Sequence, residues 1–336
     1  MLAGAIQKVV ERRDLSRDEA IAAMEAIMTG EATPAQIACF LTALRMKGET
    51  VEEITGFALV MREKAVVIRP RRSPLVDTCG TGGDRLHTFN ISTAAALVAA
   101  GAGIAIAKHG NRSVTSKSGS ADVLEALGVN LAPEPGVAER CIEEIGIGFL
   151  FAPAYHPAMK HALPTRREIA IRTVFNILGP LTNPARAEAQ VVGVYAAELT
   201  EPIAEVLGRL GLRRAMVVHG QEGLDEISTV GPTRVSELRD GAVATYDITP
   251  AELGVAQATL DDLRGGDGAE NAVLLQEVLS GAPGPRRDIV LVNAAAALVV
   301  AGSAGDLREG IALAAHAIDE GLAAAKLDAL RRFGQA

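Results

Sequence analysis

The sequence predicts an α/β protein in two parts. A small helical domain should occupy residues 1–70, joined by part of 160–190, and a large α/β domain with a mostly parallel central sheet should occupy 71–336. Three observations carry this expectation. Residues 1–65 show helix punctuation and no strand pattern. From residue 75 onward, short β-branched runs alternate with Ala/Leu-rich stretches, the pattern of parallel strands joined by crossover helices. A chain of 336 residues with 49% apolar content can build one large or two modest domains.

The elements follow in order. Ser16 to Glu19 has the form of a capping box ahead of an apolar-periodic stretch. Thr33 is an N-cap candidate with Pro34 at the first helical position and Gly48 at the end; Thr50 opens a further helix. Strands are expected at 75–79, 104–107, 148–151, 190–195 and 214–218, with helices near 92–102, 119–127, 136–145 and 200–210. Asp240-Gly241 between alternating segments signals a hairpin. The tail returns to helix.

Aromatics make up only 3% and Trp is absent, so alanine, valine and leucine must fill the core, with alanine-rich helices in close contact. The net charge of −8 argues against a general nucleic-acid binder. Cys39, Cys79 and Cys141 are far apart and are expected to be buried, reduced thiols of a cytoplasmic protein. Charges within the first eight residues speak against a signal peptide. No apolar run reaches the roughly 18 residues of a membrane span. The longest, "DIVLVNAAAALVVAG", is interrupted by Asn293.

Four clusters carry chemistry. "DTCGTGGDRLHTFNIST" (77–93) follows the first strand, and its glycines let backbone N–H groups converge on an anion. It lacks the Gly-Lys-Ser/Thr of a P-loop, and Arg85 stands where a dinucleotide fingerprint needs glycine. A plain tight turn is the alternative, but Asp84, Thr88, Asn90, Ser92 and Thr93 favour phosphate. "AKHGNRSVTSKSGSADVLEALG" (107–128) alternates Lys108, Arg112 and Lys117 with hydroxyls, and Gly110 and Gly119 should keep it mobile. It could be a solvated basic loop. Its place at the same end of a neighbouring strand suits a second phosphate group. "HGQEGLDEIS" (219–228) carries Asp225 and Glu226 at a third strand end. Carboxylates facing phosphate loops require a cation, and Mg²⁺ is the natural one. "YHPAMKHALPTRREIAIRTVFNILGPLTNPA" (155–185) holds His156 and His161, which could be surface or cap residues. Arg166 and Arg167 are expected to open a helix, where positive charge gains nothing from the helix dipole, so one of them should be used elsewhere, with a carboxylate ligand as one candidate.

In combination, "GTGGD" (80–84), "NIST" (90–93), "KHGNRSVTSKSGSADVLEALG" (108–128), "NILGPLTNP" (176–184) and "GLDEIS" (223–228) resemble the anthranilate phosphoribosyltransferase family of tryptophan biosynthesis, across essentially the whole chain. The resemblance implies a nucleoside-phosphorylase-like fold and a homodimer formed through the helical domain. It implies transfer of the phosphoribosyl group of phosphoribosyl pyrophosphate (PRPP) to the amine of anthranilate. By that resemblance Gly80, Gly83, Asp84, Thr88, Asn90, Ile91, Ser92 and Thr93 would hold PRPP. Lys108, His109, Gly110, Asn111, Arg112, Ser113, Val114, Thr115, Ser116 and Ser120 would close over it. Gly80, Asn111 and Arg166 would contact anthranilate, with His109 and Pro180 lining its pocket. Ser92, Asp225 and Glu226 would bind Mg²⁺. Lys108, Arg166 and His109 are the candidates for catalysis. A pyrimidine nucleoside phosphorylase is a competing reading, against which "GLDEIS" and "KHGNR" speak; a nucleic-acid-binding relative would want a basic face. Neither nucleic acid nor membrane is expected as a partner.

Overall fold

The computed structural model describes residues 2–84, 86–113, 117–131 and 135–333. Four helices come first, Leu2–Val10, Arg17–Met28, Pro34–Lys47 and Val51–Glu63. Local chemistry sets their ends. Ser16, Thr33 and Thr50 each accept from the backbone N–H three residues on, and Glu19, Gln36 and Glu53 bond back to the cap. Gly48 ends the third helix with φ +89°, a conformation glycine adopts without penalty. That helix turns Ile37, Phe40, Leu41 and Leu44 inward, so the residue between them, Cys39, faces out. The expectation of three buried thiols is thereby corrected: Cys141 is buried, Cys79 partly so, and Cys39 is exposed.

The sheet runs β1 (Leu75–Gly80), β2 (Ala105–Gly110), β3 (Ile147–Phe151), β4 (Ala189–Gly193), β5 (Arg214–Gly220), β6 (Thr233–Arg239) and β7 (Ala242–Ile248). Its spatial order is β3-β2-β1-β4-β5-β6-β7. The first five are parallel; β6 and β7 add an antiparallel hairpin about Asp240-Gly241. From β1 the chain goes outward to β2 and β3, then returns to β4 on the other side of β1. The strand order therefore reverses between β1 and β4, and ligands of open α/β sheets bind outside the carboxyl ends at such a point.

Alternate strand residues separate two cores. Val76, Ile106, Val191 and Met216 face helices 91–101, 285–301 and the other tail helices. Val192, Val194, Ala215 and Val217 face the N-terminal helices, the helix Thr200–Arg209, and Phe175, Leu178 and Leu181. The tail helices approach closely because small residues meet there. A Cβ at Gly101 would lie 2.8 Å from Ala323 N, and one at Gly310 would lie 2.8 Å from Ala295 Cβ. Among the described residues no helix is long and apolar enough to cross a membrane.

Candidate active site

The glycine turn leaves the end of β1 with Gly82 at φ +65° and Gly83 at φ +78°, a region that L side chains rarely enter. The Gly82 N–H donates to Asp225 Oδ2 at 2.8 Å. Gly80 has a different use: a Cβ there would strike the Asp225 carboxyl, and one at Gly193, the last residue of β4, would strike the Asp225 backbone. Two bare strand ends thus let the 223–228 loop lie across the switch point. Asn293 pins that loop from below. Its amide accepts from Ile227 N–H and donates to Ile227 O, both at 2.9 Å.

Asp84, Asp225 and Glu226 crowd together. Burial pushes the Asp225 carboxyl up to about 7, and the Asp84 carboxyl adds to this. Burial first, and Asp225 next, push Glu226 well above its usual range; the Lys108 ammonium and the Ser92 amide pull the other way. No group of three metal-ligating side chains is preassembled among the described residues. Mg²⁺ typically takes one or two carboxylates together with substrate phosphates and water, and a strained carboxyl cluster beside an amide-rich turn is a donor set that suits it.

The structure places Lys108 and His109 inside β2, whose strand runs three residues past the expected end at 107. Successive side chains in a strand face opposite ways. Lys108 is buried and donates to Thr78 O at 2.6 Å and Ser92 Oγ at 3.3 Å, on the side of the helix Ile91–Gly101. Burial lowers its pKa, against the buried Asp77 and against Glu226. His109 points the other way. Its ring lies 5.1 Å from that of His156 and is bonded to the Gly179 backbone. Burial holds His109 down to about 3 and His156 down to about 4, so both are neutral at pH 7. Among the described residues, the Nε2 atom of each is buried without a hydrogen-bond partner. His109 is therefore an acceptor and a poor store for a proton.

The remaining PRPP-loop candidates are spread over three places. Ile91 and Thr93 are buried in the first turn of the helix Ile91–Gly101. Thr88 bridges to Arg264. Asp122 accepts from Ser113 N–H at 3.0 Å and Gly119 N–H at 2.8 Å, and Ser120 Oγ donates to Asn111 O at 3.4 Å. Arg112 forms ion pairs with Asp122 at 3.0 Å and Glu125 at 2.7 Å, so its charge is engaged within the loop. Gly110 and Gly119 are not mobility devices. A Cβ at Gly119 would lie 2.6 Å from Asn111 O, and one at Gly110 would lie 2.7 Å from Phe149, so both permit close packing. Val114, Thr115 and Ser116 fall outside the described residues.

Arg166 and Arg167 lie in the last turn of the helix Leu163–Ile169, not at its start. Cations are well placed there, so the expected misplaced charge does not exist. Burial distinguishes the two instead. Arg167 is exposed, whereas the Arg166 guanidinium stacks 4.8 Å from the Phe175 ring. Burial brings its pKa down to about 10, and no ion pair engages it among the described residues. Pro180 lies in the buried segment that follows, where its carbonyl accepts from Gln190 Nε2 at 2.6 Å. His161 packs at Gly30, away from the pair of buried imidazoles.

Comparison with known proteins agrees with this fold. The helical bundle domain of a glycosyl transferase family matches residues 3–65, and that family's a/b domain matches residues 72–324. An anthranilate phosphoribosyltransferase of Symbiobacterium thermophilum is 60% identical over 328 residues, 98% of this chain and 96% of its own. The chain belongs to the anthranilate phosphoribosyltransferase family. Within that family, the crystal structure of the Thermus thermophilus protein superposes with a TM-score of 0.94 at 46% identity, covering 99% of both chains. The Saccharomyces cerevisiae protein in complex with PRPP and Mg gives 0.91 at 29% identity, covering 99% of this chain and 98% of that one.

Several residues that build this candidate site carried no motif in the sequence, Gly193 among them. Asn293 stood out only as a polar break in an apolar run. Arg172 was one basic residue among several, yet its guanidinium donates to Gly83 O and lies 4.3 Å from the Tyr195 ring, joining the glycine turn to the segment after β4.

Proposed function

We propose that this chain transfers the phosphoribosyl group of PRPP to the amine of anthranilate, releasing pyrophosphate, in tryptophan biosynthesis. The observation that carries this reading is the convergence of the glycine turn, Lys108, Ser92 and the Asp225–Glu226 pair at the β1/β4 switch point. The donor would sit there, held by Gly80, Gly83, Asp84, Asn90, Ser92 and Thr93, with Lys108, Asn111, Arg112, Ser113 and Ser120 closing over it. Asp225, Glu226 and Ser92 would hold Mg²⁺, which when bound would neutralise charge developing on the pyrophosphate.

The chain's own residues account for the rest. Lys108, buried and held by Thr78 and Ser92, presents a fixed ammonium to the leaving phosphates. Arg166, with no protein carboxylate engaging it among the described residues, would take the carboxylate of anthranilate through paired hydrogen bonds and set the ring. The neutral Nε2 atoms of His109 and His156 could accept from the amine. The C1′–O bond to pyrophosphate breaks as the C1′–N bond forms, and the amine's proton passes to the departing pyrophosphate or to water. An aryl amine is nucleophilic when neutral, so positioning supplies much of the rate.

We further read residues 1–70, with part of 160–190, as one unit that forms a homodimer. Support comes from Val10 and Met46 on the N-terminal helices, 59% and 71% exposed. Sedimentation of the pure protein would decide this.

The direct assay is loss of anthranilate fluorescence with and without PRPP and Mg²⁺. Consumption should require both. Nucleoside phosphorolysis without anthranilate consumption would replace this reading.

A further inference from the structure

We propose that Asn271 is a positioning residue for PRPP: it withdraws the Asn90 side chain from the helix that Asn90 precedes and ties it to Ser118. This rests on the functional reading above. An asparagine at an N-cap normally accepts a hydrogen bond from the second or third helical N–H, closing the end of the helix. Asn90 holds the N-cap position of Ile91–Gly101 and makes no such bond; its ψ is 71°. Its Oδ1 instead accepts from Asn271 Nδ2 at 2.9 Å and from Ser118 Oγ at 3.2 Å, while its Nδ2 donates to Ser118 O at 3.3 Å.

The direction of these bonds is determined from Asn271 outward. Asn271 is 1% exposed, on the helix Gly268–Leu279, and its Oδ1 accepts from the Gly266 backbone N–H at 2.8 Å. A backbone N–H can only donate, so the other end of the Asn271 amide must be its donor. That donor requires an acceptor, which fixes Asn90 with its carbonyl outward. The surrounding backbone holds the two residues in register. Phe89 N–H donates to Leu263 O at 3.0 Å and Gly265 N–H to His87 O at 2.8 Å. A Cβ on Gly265 would lie 2.6 Å from Asn271 Oδ1 and 2.7 Å from Phe89 N, so only glycine permits this approach. With Asn90 held outward, its side chain joins Ser118 to the start of the helix whose residues 90–93 would hold PRPP, while the first turn is closed without it: Ile91 N–H donates to Phe89 O at 2.8 Å, Thr93 N–H to Asn90 O at 3.2 Å and the Ser92 amide to Glu226.

The test is steady-state kinetics of Asn271→Ala and Asn271→Asp, with PRPP and anthranilate varied in turn at saturating Mg²⁺, beside thermal melts. Asn271→Asp keeps size and the acceptor for Gly266 but presents oxygen to Asn90, which must turn and become free to cap its helix. We expect KM for PRPP to rise about tenfold, the worth of one lost hydrogen bond. KM for anthranilate should stay in place, and Asn271→Asp should melt no lower than Asn271→Ala. If Asn271 acts through Asn90, Asn271→Ala should add nothing in an Asn90→Ala background. An unchanged PRPP KM in both variants, or losses that multiply in the double variant, overturns the proposal while leaving the functional reading intact. A wild-type protein without PRPP-dependent consumption of anthranilate overturns both.

Discussion

Lys108 and His109 are neighbours in β2, yet one lies among carboxylates and the other against a second neutral imidazole. On the Lys108 side the sheet edge gathers Asp225, Glu226, Asp84 and the glycine-turn amides, with the carboxyls raising one another's pKa. On the His109 side it gathers the neutral His156, Gly179 and Pro180, with the buried Asp77 carboxyl held by His109 N–H at 3.1 Å and by Gln190. On the reading proposed above, the difference teaches how one edge would serve two substrates. A polyanion needs positive charge and open amides. An aryl amine needs a dry wall with a few acceptors, and its carboxylate needs one unpaired cation nearby.

The largest blow to this asymmetry should come from its charged side. Asp225→Asn with Glu226→Gln should lower Mg²⁺-dependent turnover by at least about a hundredfold, as loss of metal-holding groups does. Circular dichroism should show the fold retained. Unchanged turnover with unchanged Mg²⁺ dependence would remove the metal from that face.

Arg166→Ala comes next and tests the acceptor. KM for anthranilate should rise about ten- to a hundredfold, the worth of a charge-assisted contact, with little change for PRPP. Lysine should restore only part, since it lacks the fork. A selective PRPP defect would instead assign Arg166 to the charged face.

The neutral side makes a smaller prediction, in stability against pH. His109 and His156 titrate at about 3 and about 4 in the folded protein, against 6.5 for free histidine. The unfolded chain therefore binds more protons between these limits, and the pair stabilises the fold less and less as pH falls from 6.5 towards 4. The urea midpoint of His109→Gln with His156→Gln should gain on that of the wild type across this window. A constant difference between the two would show that the imidazoles are not held neutral.

The smallest effect should lie far from both faces. Thr33→Ala removes an N-cap and should cost about 1 kcal/mol of stability. Both KM values should stand. A shift in either would mean that the N-terminal helices reach the site more directly than their packing shows.

Thr33 also marks where the sequence was legible. Its cap, its partner Gln36, Pro34 and Gly48 lie within one helix, so their bonds follow from spacing alone. The hairpin at Asp240-Gly241 and the strand–helix alternation were legible for the same reason. The candidate site was legible in composition only. The glycine turn, the lysine of β2 and the acidic pair could be recognised as anion- and cation-handling groups. Their mutual placement could not, and the helix-start expectation for Arg166 failed because the helix ends where it was expected to begin.

The sequence by itself determined the local elements and the chemical kinds of group at each strand end, since turns, caps and periodicity are settled by residues a few positions apart. Only the tertiary structure decided which groups meet. Gly82 finds Asp225 across 143 residues, Asn90 finds Asn271 across 181, and the 223–228 loop is pinned by Asn293 from 66 residues away. Such contacts form because strand order at the switch point and the burial of both sheet faces bring distant segments to one edge. No local pattern records that partner, because each residue's own neighbours would have been satisfied without it: Asn90 could have capped its helix, and Gly82 could have faced water.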